Sequence, residues 1–216
     1  EDEDQIRARF LAAELPEDVV EKLHRVMEVV QTPIAVRSSS LLEDSPQQPL
    51  AGVYGTWLLP NDHADIDVRL EQLLDAVKRV YATTYASNAQ SFIEASQYRL
   101  EEEAMAVIIQ RVVGERHQDR FYPHFAGVAR SHNYYPTPPA RPEDGIAAVA
   151  LGLGKTVAEG EPCLRFAPPH PGHILEHSSV EDILEHSQRV FYGLQLGEPP
   201  PAGGWERDGP IIQFPI

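Results

Sequence analysis

The chain has 216 residues, 42% hydrophobic and 24% charged, the balance of an ordinary globular protein long enough for one large domain or two small lobes. Its net charge of −15 leaves no basic footprint for nucleic acid, so an anionic ligand has to be held by a few local cations. No apolar run approaches the ~18 residues that span a bilayer, the acidic start EDEDQIRARF lacks the layout of a secretory signal, and the lone Cys163 excludes an internal disulfide framework, so a cytoplasmic protein without a membrane partner is expected.

Residues 1–31 read as two helices. Ile6, Phe10 and Leu11 stripe the first. Pro16, Glu17 and Asp18 mark the start of the second, where proline and acids suit a first turn. Val19, Val20, Leu23, Val26, Met27 and Val30 then keep a helical period. Pro33 to Val36 is an apolar strand that delivers Arg37 into Ser38, Ser39 and Ser40, followed by Glu43 and Asp44. A proline-punctuated loop leads to Gly52, Val53, Tyr54, Gly55 and Thr56, and a second apolar strand closes at Leu59.

That order of strand, cation, hydroxyls, glycine loop and strand suits the grip of a polyanion. Arginine presents a planar fork of donors that matches phosphate oxygens. Serine and threonine hydroxyls add short-range donors. Glycines at 52 and 55 let backbone N–H groups come close to a ligand. Composition alone leaves a second reading open, a hairpin with a polar tip in which Arg37 pairs with Glu43 or Asp44.

Asn61 to His63 reads as a turn, and Asp65 to Tyr81 as an amphipathic helix carried by Ile66, Leu70, Leu73, Leu74, Val77 and Val80. A second helix runs from Tyr85 to Ile93, and Tyr81, Tyr85, Phe92 and Tyr98 are read as core. Glu101, Glu102 and Glu103 are read as a solvated end rather than a metal site. In the strand at 105–113 Gln110 interrupts the apolar run and needs a polar partner, a nucleotide or a neighbouring backbone group. After the polar connection GERHQDR, Phe121 to Tyr135 reads as a strand, with Arg130 in reach of phosphate. Prolines at 136, 138, 139 and 142 mark a loop, and Gly145 to Leu151 a short buried strand.

Gly152, Leu153, Gly154 and Lys155 form a second glycine turn, without the spacing of a P-loop. Cys163 is read as a small buried residue. His170, His173 and His177 lie among prolines that prevent one helix from presenting all three, so no metal site is expected there. Val180 to Leu194 reads as a final helix with Ile183, Leu184, Val190, Phe191 and Leu194 inward, 197–209 as a link, and 210–216 as a strand.

Five segments in order carry a family resemblance: VRSSSLLEDS, LAGVYGTWLL, MAVIIQRVV, AGVA and LGLGKTVAEG. Together they resemble the N-terminal nucleotide-binding domain of phosphoenolpyruvate synthase and pyruvate phosphate dikinase. The resemblance implies an α+β, ATP-grasp-like fold with antiparallel or mixed sheets flanked by helices. It divides the chain into a helical lead-in (1–31), an Arg/Gly-loop lobe (33–100) and a strand-rich lobe (101–216). It implies ATP and Mg2+ as cofactors. Arg37 would hold phosphate and serve the chemistry, with Ser38 beside it. Gly52, Gly55 and Thr56 would close over the phosphates, Gln110 would lie near the nucleotide, and Gly152, Gly154 and Lys155 would line the cleft.

In the resembling enzymes phosphate passes from ATP to a histidine on a separate domain and then to pyruvate, so the implied partners are phosphohistidine and pyruvate domains of one longer protein. Lys155 stands where the family has glutamate, and neither the family's lysine-bearing glycine segment nor its downstream metal motif is seen. The expectation is therefore part of an ATP-dependent phosphotransferase, incomplete as it stands and not competent alone. The alternatives are a non-catalytic regulatory or interaction module on the same scaffold, or a related dikinase with another acceptor.

Overall fold

The computed structural model describes residues 2–41, 43, 54–96, 99, 103–174, 177–198, 201, 204–205 and 207–216. Asp44, Gly52, Tyr98, Glu101 and Glu102, singled out above, lie outside these. The described chain is α+β, built of helices and small antiparallel sheets, as expected. It divides into two units, Glu1–Val112 with Leu196–Pro210, and Val113–Gln195 with Ile211–Ile216.

In the first unit, α1 (Glu3–Ala12) and α2 (Glu17–Val29) lead into β1 (Ile34–Ser40), followed by β2 (Thr56–Leu59), α3 (Ile66–Ala82), a 3-10 turn at Thr83–Tyr85, α4 (Ser87–Ala95) and β3 (Met105–Arg111). The strands form one antiparallel sheet in the order β2-β1-β3. Asp65 caps α3, its carboxylate accepting from the Asp67 N–H at 2.9 Å. Met27 of α2 and Leu73, Ala76, Val77 and Val80 of α3 pack with Ile34, Val36, Trp57 and Leu59 on one face of the sheet. Trp205 joins this core from the returning segment, which ties 196–210 to the first unit. Tyr54, Ala89 and Ile93 form a smaller cluster with Phe92. Tyr85 is less buried than expected, tilted against Phe10 with ring centroids 5.7 Å apart.

The second unit has two sheets. β4 (Glu115–His117), β5 (Arg120–Tyr122), β9 (Val190–Gln195) and β10 (Ile211–Pro215) pair in the order β10-β9-β5-β4. β6 (Phe125–Arg130), β7 (Ile146–Leu151) and β8 (Leu164–Phe166) pair in the order β6-β7-β8. A parallel bridge between Gly152 and Tyr192 links β9 to the chain leaving β7. The short α5 (Lys155–Ala158) and α6 (Val180–His186) complete the unit. Cys163 is buried and forms no disulfide. His170 and His173 lie in turns, and among the described residues no group of three His, Cys, Asp or Glu side chains is placed to hold a metal.

Three expectations change. The helix expected over 180–194 ends at His186, and Val190, Phe191 and Leu194 lie in β9. Their helical spacing is a coincidence of a short apolar run, whose β-branched and aromatic residues pair with β5 and β10 instead. The polar connection at 114–120 contains a hairpin, β4 to β5, turning at Gln118 with φ +60°. The single strand expected from Phe121 to Tyr135 is broken after Tyr122, where Pro123 has no N–H to donate, and the chain changes sheets. β3 hydrogen-bonds along the whole of β1, so the first unit runs to Val112 before the returning segment.

Candidate functional site

In the first sheet Arg37 lies opposite Thr56 on β2 and Ile108 on β3. One row along, Ala35 lies between Leu58 and Gln110. Opposed residues in an antiparallel ladder project to the same side, and so do residues two apart on one strand. Arg37, Thr56, Ile108 and Gln110 therefore share the face turned away from α2 and α3. Arg37 and Gln110 are exposed, and Ile108 is 43% exposed, high for isoleucine in the central part of a strand. Among the described residues no hydrogen bond or ion pair engages the Arg37 guanidinium. The face thus offers a cation, a hydroxyl, an amide and apolar surface together.

Ser38 points the other way. It is buried, and its hydroxyl donates to Glu43 Oε1 at 3.4 Å. Glu43 Oε2 accepts from the Ser40 N–H at 3.2 Å while the Glu43 N–H donates to Ser40 Oγ at 3.0 Å, a reciprocal turn cap. Glu43 is thereby occupied on the face opposite Arg37. Ser40 Oγ also donates to Glu103 Oε2 at 3.0 Å, and Tyr54 donates to the same oxygen. Glu103 is thus a half-buried acceptor at the strand entry rather than a solvated end. Burial, then the hydrogen bond to Glu103, pushes the Tyr54 hydroxyl well above its ordinary pKa. Gly55 has a packing reason: a Cβ there would lie 2.3 Å from the Trp57 ring.

The second glycine turn sits in the second unit. Gly152 has φ +76°, and a Cβ there would meet the Tyr192 carbonyl oxygen at 2.6 Å. That close approach lets the Leu153 N–H donate to the same carbonyl at 2.8 Å. Gly154 precedes α5 as its N-cap. Lys155 Nζ is drawn to Glu159 Oε1 at 2.6 Å and lies 5.7 Å from the centre of the Tyr192 ring. Tyr192 donates to Glu161 at 2.7 Å, and that bond, then burial, raises its pKa. Lys155 is therefore spoken for locally.

The structure adds residues that the sequence did not single out. Gln188 Oε1 accepts from the Leu151 N–H at 2.8 Å, and its Nε2 donates to the Leu151 and Val190 carbonyls at 3.0 and 2.8 Å. One amide thus satisfies the end of β7 and the start of β9. Arg165, read as part of no motif, lies on the same sheet face as Arg130 through Ala148 and Val128. No local pattern marks either residue, since both roles depend on partners distant in sequence.

Comparison with known proteins bears on the whole arrangement. The family model described as the pyruvate phosphate dikinase AMP/ATP-binding domain matches residues 1–171. A phosphoenolpyruvate synthase of Aeropyrum pernix is 28% identical over 118 residues, 51% of this chain and 14% of that protein. A rifampicin phosphotransferase of Bacillus cereus is 24% identical over 195 residues, 89% of this chain and 20% of that protein. The chain thus spans only a small part of the length of these relatives. On the family match across most of its length, the chain belongs to the pyruvate phosphate dikinase AMP/ATP-binding domain family.

Proposed function

We propose that the open face of the β2-β1-β3 sheet binds ATP, with Arg37 on the phosphates, Thr56 adding a hydroxyl, and Gln110 and Ile108 toward the nucleoside. The observation that supports this most directly is the Arg37 guanidinium, exposed and unengaged among the described residues, in one row with Thr56 and one row from Gln110. A planar fork of donors suits phosphate, and the adjacent apolar surface suits a base. Gly52, Gly55, Gly152, Gly154 and Lys155 remain candidates for backbone or charge contacts. Ser38 would act through its bond to Glu43.

In a longer protein of this kind the bound ATP would be set up for phosphoryl transfer to a histidine on a separate domain, and then to a small acceptor. The chemistry asked of this chain is positioning and charge stabilisation. Magnesium has no protein cage among the described residues. It would arrive on the phosphates, as magnesium commonly does, keeping several waters. A second reading, a nucleotide-binding module that transfers no phosphate, is favoured by the pairing of Lys155 with Glu159 at the position of the family's glutamate.

Calorimetric titration of Mg-ATP into the chain and its Arg37→Ala variant tests the site. Removing a charged hydrogen-bond partner should cost about 1.5–3 kcal/mol of binding, roughly tenfold or more. Equal affinity in both proteins would remove Arg37 from the site. Incubating a longer protein with labelled ATP separates the readings: label on histidine supports transfer, and binding without label supports the module.

A further inference from the structure

We propose that the second unit carries an oxyanion site of its own, which takes a small phosphate-bearing ligand with a flat ring, a nucleoside monophosphate being the simplest form. It lies in a cleft of about 480 Å³ on one face of the β6-β7-β8 sheet. The ladder sets its geometry. Arg130 on β6 lies opposite Ile146, and Arg165 on β8 lies opposite Ala148, which faces Val128. Both arginines therefore rise from the same face, on the strands either side of β7. Strand spacing puts their backbones roughly 10 Å apart across the sheet and roughly 7 Å along it. Two long side chains from those positions reach a phosphate or diphosphate between them.

Charge carries the argument further. The chain has 33 acids against 18 bases. Even so, among the described residues no carboxylate lines this cleft, and both arginines are exposed. Among the described residues neither makes a hydrogen bond or ion pair. Two like charges facing one cleft repel each other, and an oxyanion between them reverses that sign. The floor between them, Ile146 and Ala148, offers nothing polar that would compete.

The loop after β6 supplies flat rings at the same cleft. His132 and Tyr134 meet edge to face with centroids 4.7 Å apart, and Tyr134 and Tyr135 are 75% and 92% exposed. The loop is pinned by the Asn133 N–H donating to the Pro142 carbonyl at 2.8 Å and the Tyr135 N–H donating to Asn133 Oδ1 at 3.0 Å. Rings held at the rim of a cationic cleft are placed to stack on a planar ligand whose phosphate reaches the arginines.

The site uses no residue of the Arg37 face, so the test is run in the Arg37→Ala chain. Inorganic pyrophosphate, AMP and adenosine are titrated by calorimetry, with the ring resonances of Tyr134 and Tyr135 followed by NMR. Pyrophosphate and AMP bind and AMP shifts both tyrosines, whereas adenosine, which the Gln110 and Ile108 face can still take, leaves the Tyr134 and Tyr135 resonances in place. Adding Arg130→Ala and Arg165→Ala weakens pyrophosphate and AMP by about tenfold or more, while Arg130→Lys with Arg165→Lys retains part of the affinity as point charges do. The proposal is overturned if the Arg37→Ala chain binds neither anion at millimolar concentration. It is equally overturned if the double alanine variant binds unchanged, or if adenosine shifts the Tyr134 and Tyr135 resonances as AMP does. Loss of Mg-ATP binding on Arg37→Ala with pyrophosphate retained would distinguish the two sites.

Discussion

Arg69 and Asn61 meet inside the first unit, with Arg69 Nη1 donating to Asn61 Oδ1 at 3.4 Å. The same guanidinium nitrogen donates to the Met27 and Val30 carbonyls at 3.1 and 3.2 Å. Asn61 Nδ2 donates to the Val30 and Thr32 carbonyls, both at 2.9 Å. Together they satisfy the C-terminal end of α2, where a cation also suits the helix dipole. Arg69 is buried because its charge is spread over these acceptors.

Replacing Arg69 with methionine keeps much of the bulk and removes the donors. Stability should fall by about 2–3 kcal/mol, since buried carbonyls are left unpaired. Asn61→Gly keeps access to the observed φ of +54° and removes only the side-chain bonds, with a smaller loss of about 1–2 kcal/mol. Urea unfolding of the two variants checks the order. A loss for Arg69→Met no greater than that for Asn61→Gly would contradict the clamp.

The face shared by Arg37 and Gln110 predicts a split in ligand dependence. Arg37→Ala should weaken ATP while leaving adenosine almost unchanged. Gln110→Ala should weaken ATP and adenosine alike, by about 1 kcal/mol, the worth of a neutral hydrogen bond. Parallel calorimetry with both ligands reads this directly, and the reverse pattern would invert the orientation of the nucleotide on the sheet.

Gly152 and Gly160 form an internal comparison. Both have positive φ, +76° and +74°, but a Cβ at Gly160 meets nothing within 4 Å, whereas at Gly152 it meets the Tyr192 carbonyl oxygen. Gly160→Ala should cost about 1 kcal/mol from backbone strain alone. Gly152→Ala adds a backbone clash and should cost at least about 2 kcal/mol more. Faster amide exchange at Leu153 in the Gly152 variant would locate the damage.

Tyr54 gives a pH dependence of known sign. Its folded-state pKa is raised above the ordinary tyrosine value of about 10, first by burial and then by Glu103. Between those two values the unfolded chain loses the proton and the folded chain keeps it, so stability falls as pH rises. The contribution is complete below pH ~10 and declines above it. Tyr54→Phe should flatten that alkaline slope, and an unchanged slope in stability measured from pH 9 to 11 would point to other groups.

Local pattern determined much of this protein. The helical periods before residue 30 and over 65–81, the apolar runs around Arg37 and before Leu59, and the strand ending near Gln110 were all legible, because each is a short-range alternation of apolar and polar residues. The ordered motifs pointed to the family as well. What pattern could not decide was pairing. Arg37 and Ser38 are neighbours in sequence, yet one faces solvent and the other the core, and only the registers with Thr56 and Ile108 set which. Val190 to Leu194 became a strand because β5 and β10 flank it, and a short apolar run takes the form its neighbours pair with. Arg165 joined Arg130, Gln188 bracketed two strands, and β3 joined β1 for the same reason. Register is set by partners tens of residues away, and a shift of one residue turns every side chain to the other face.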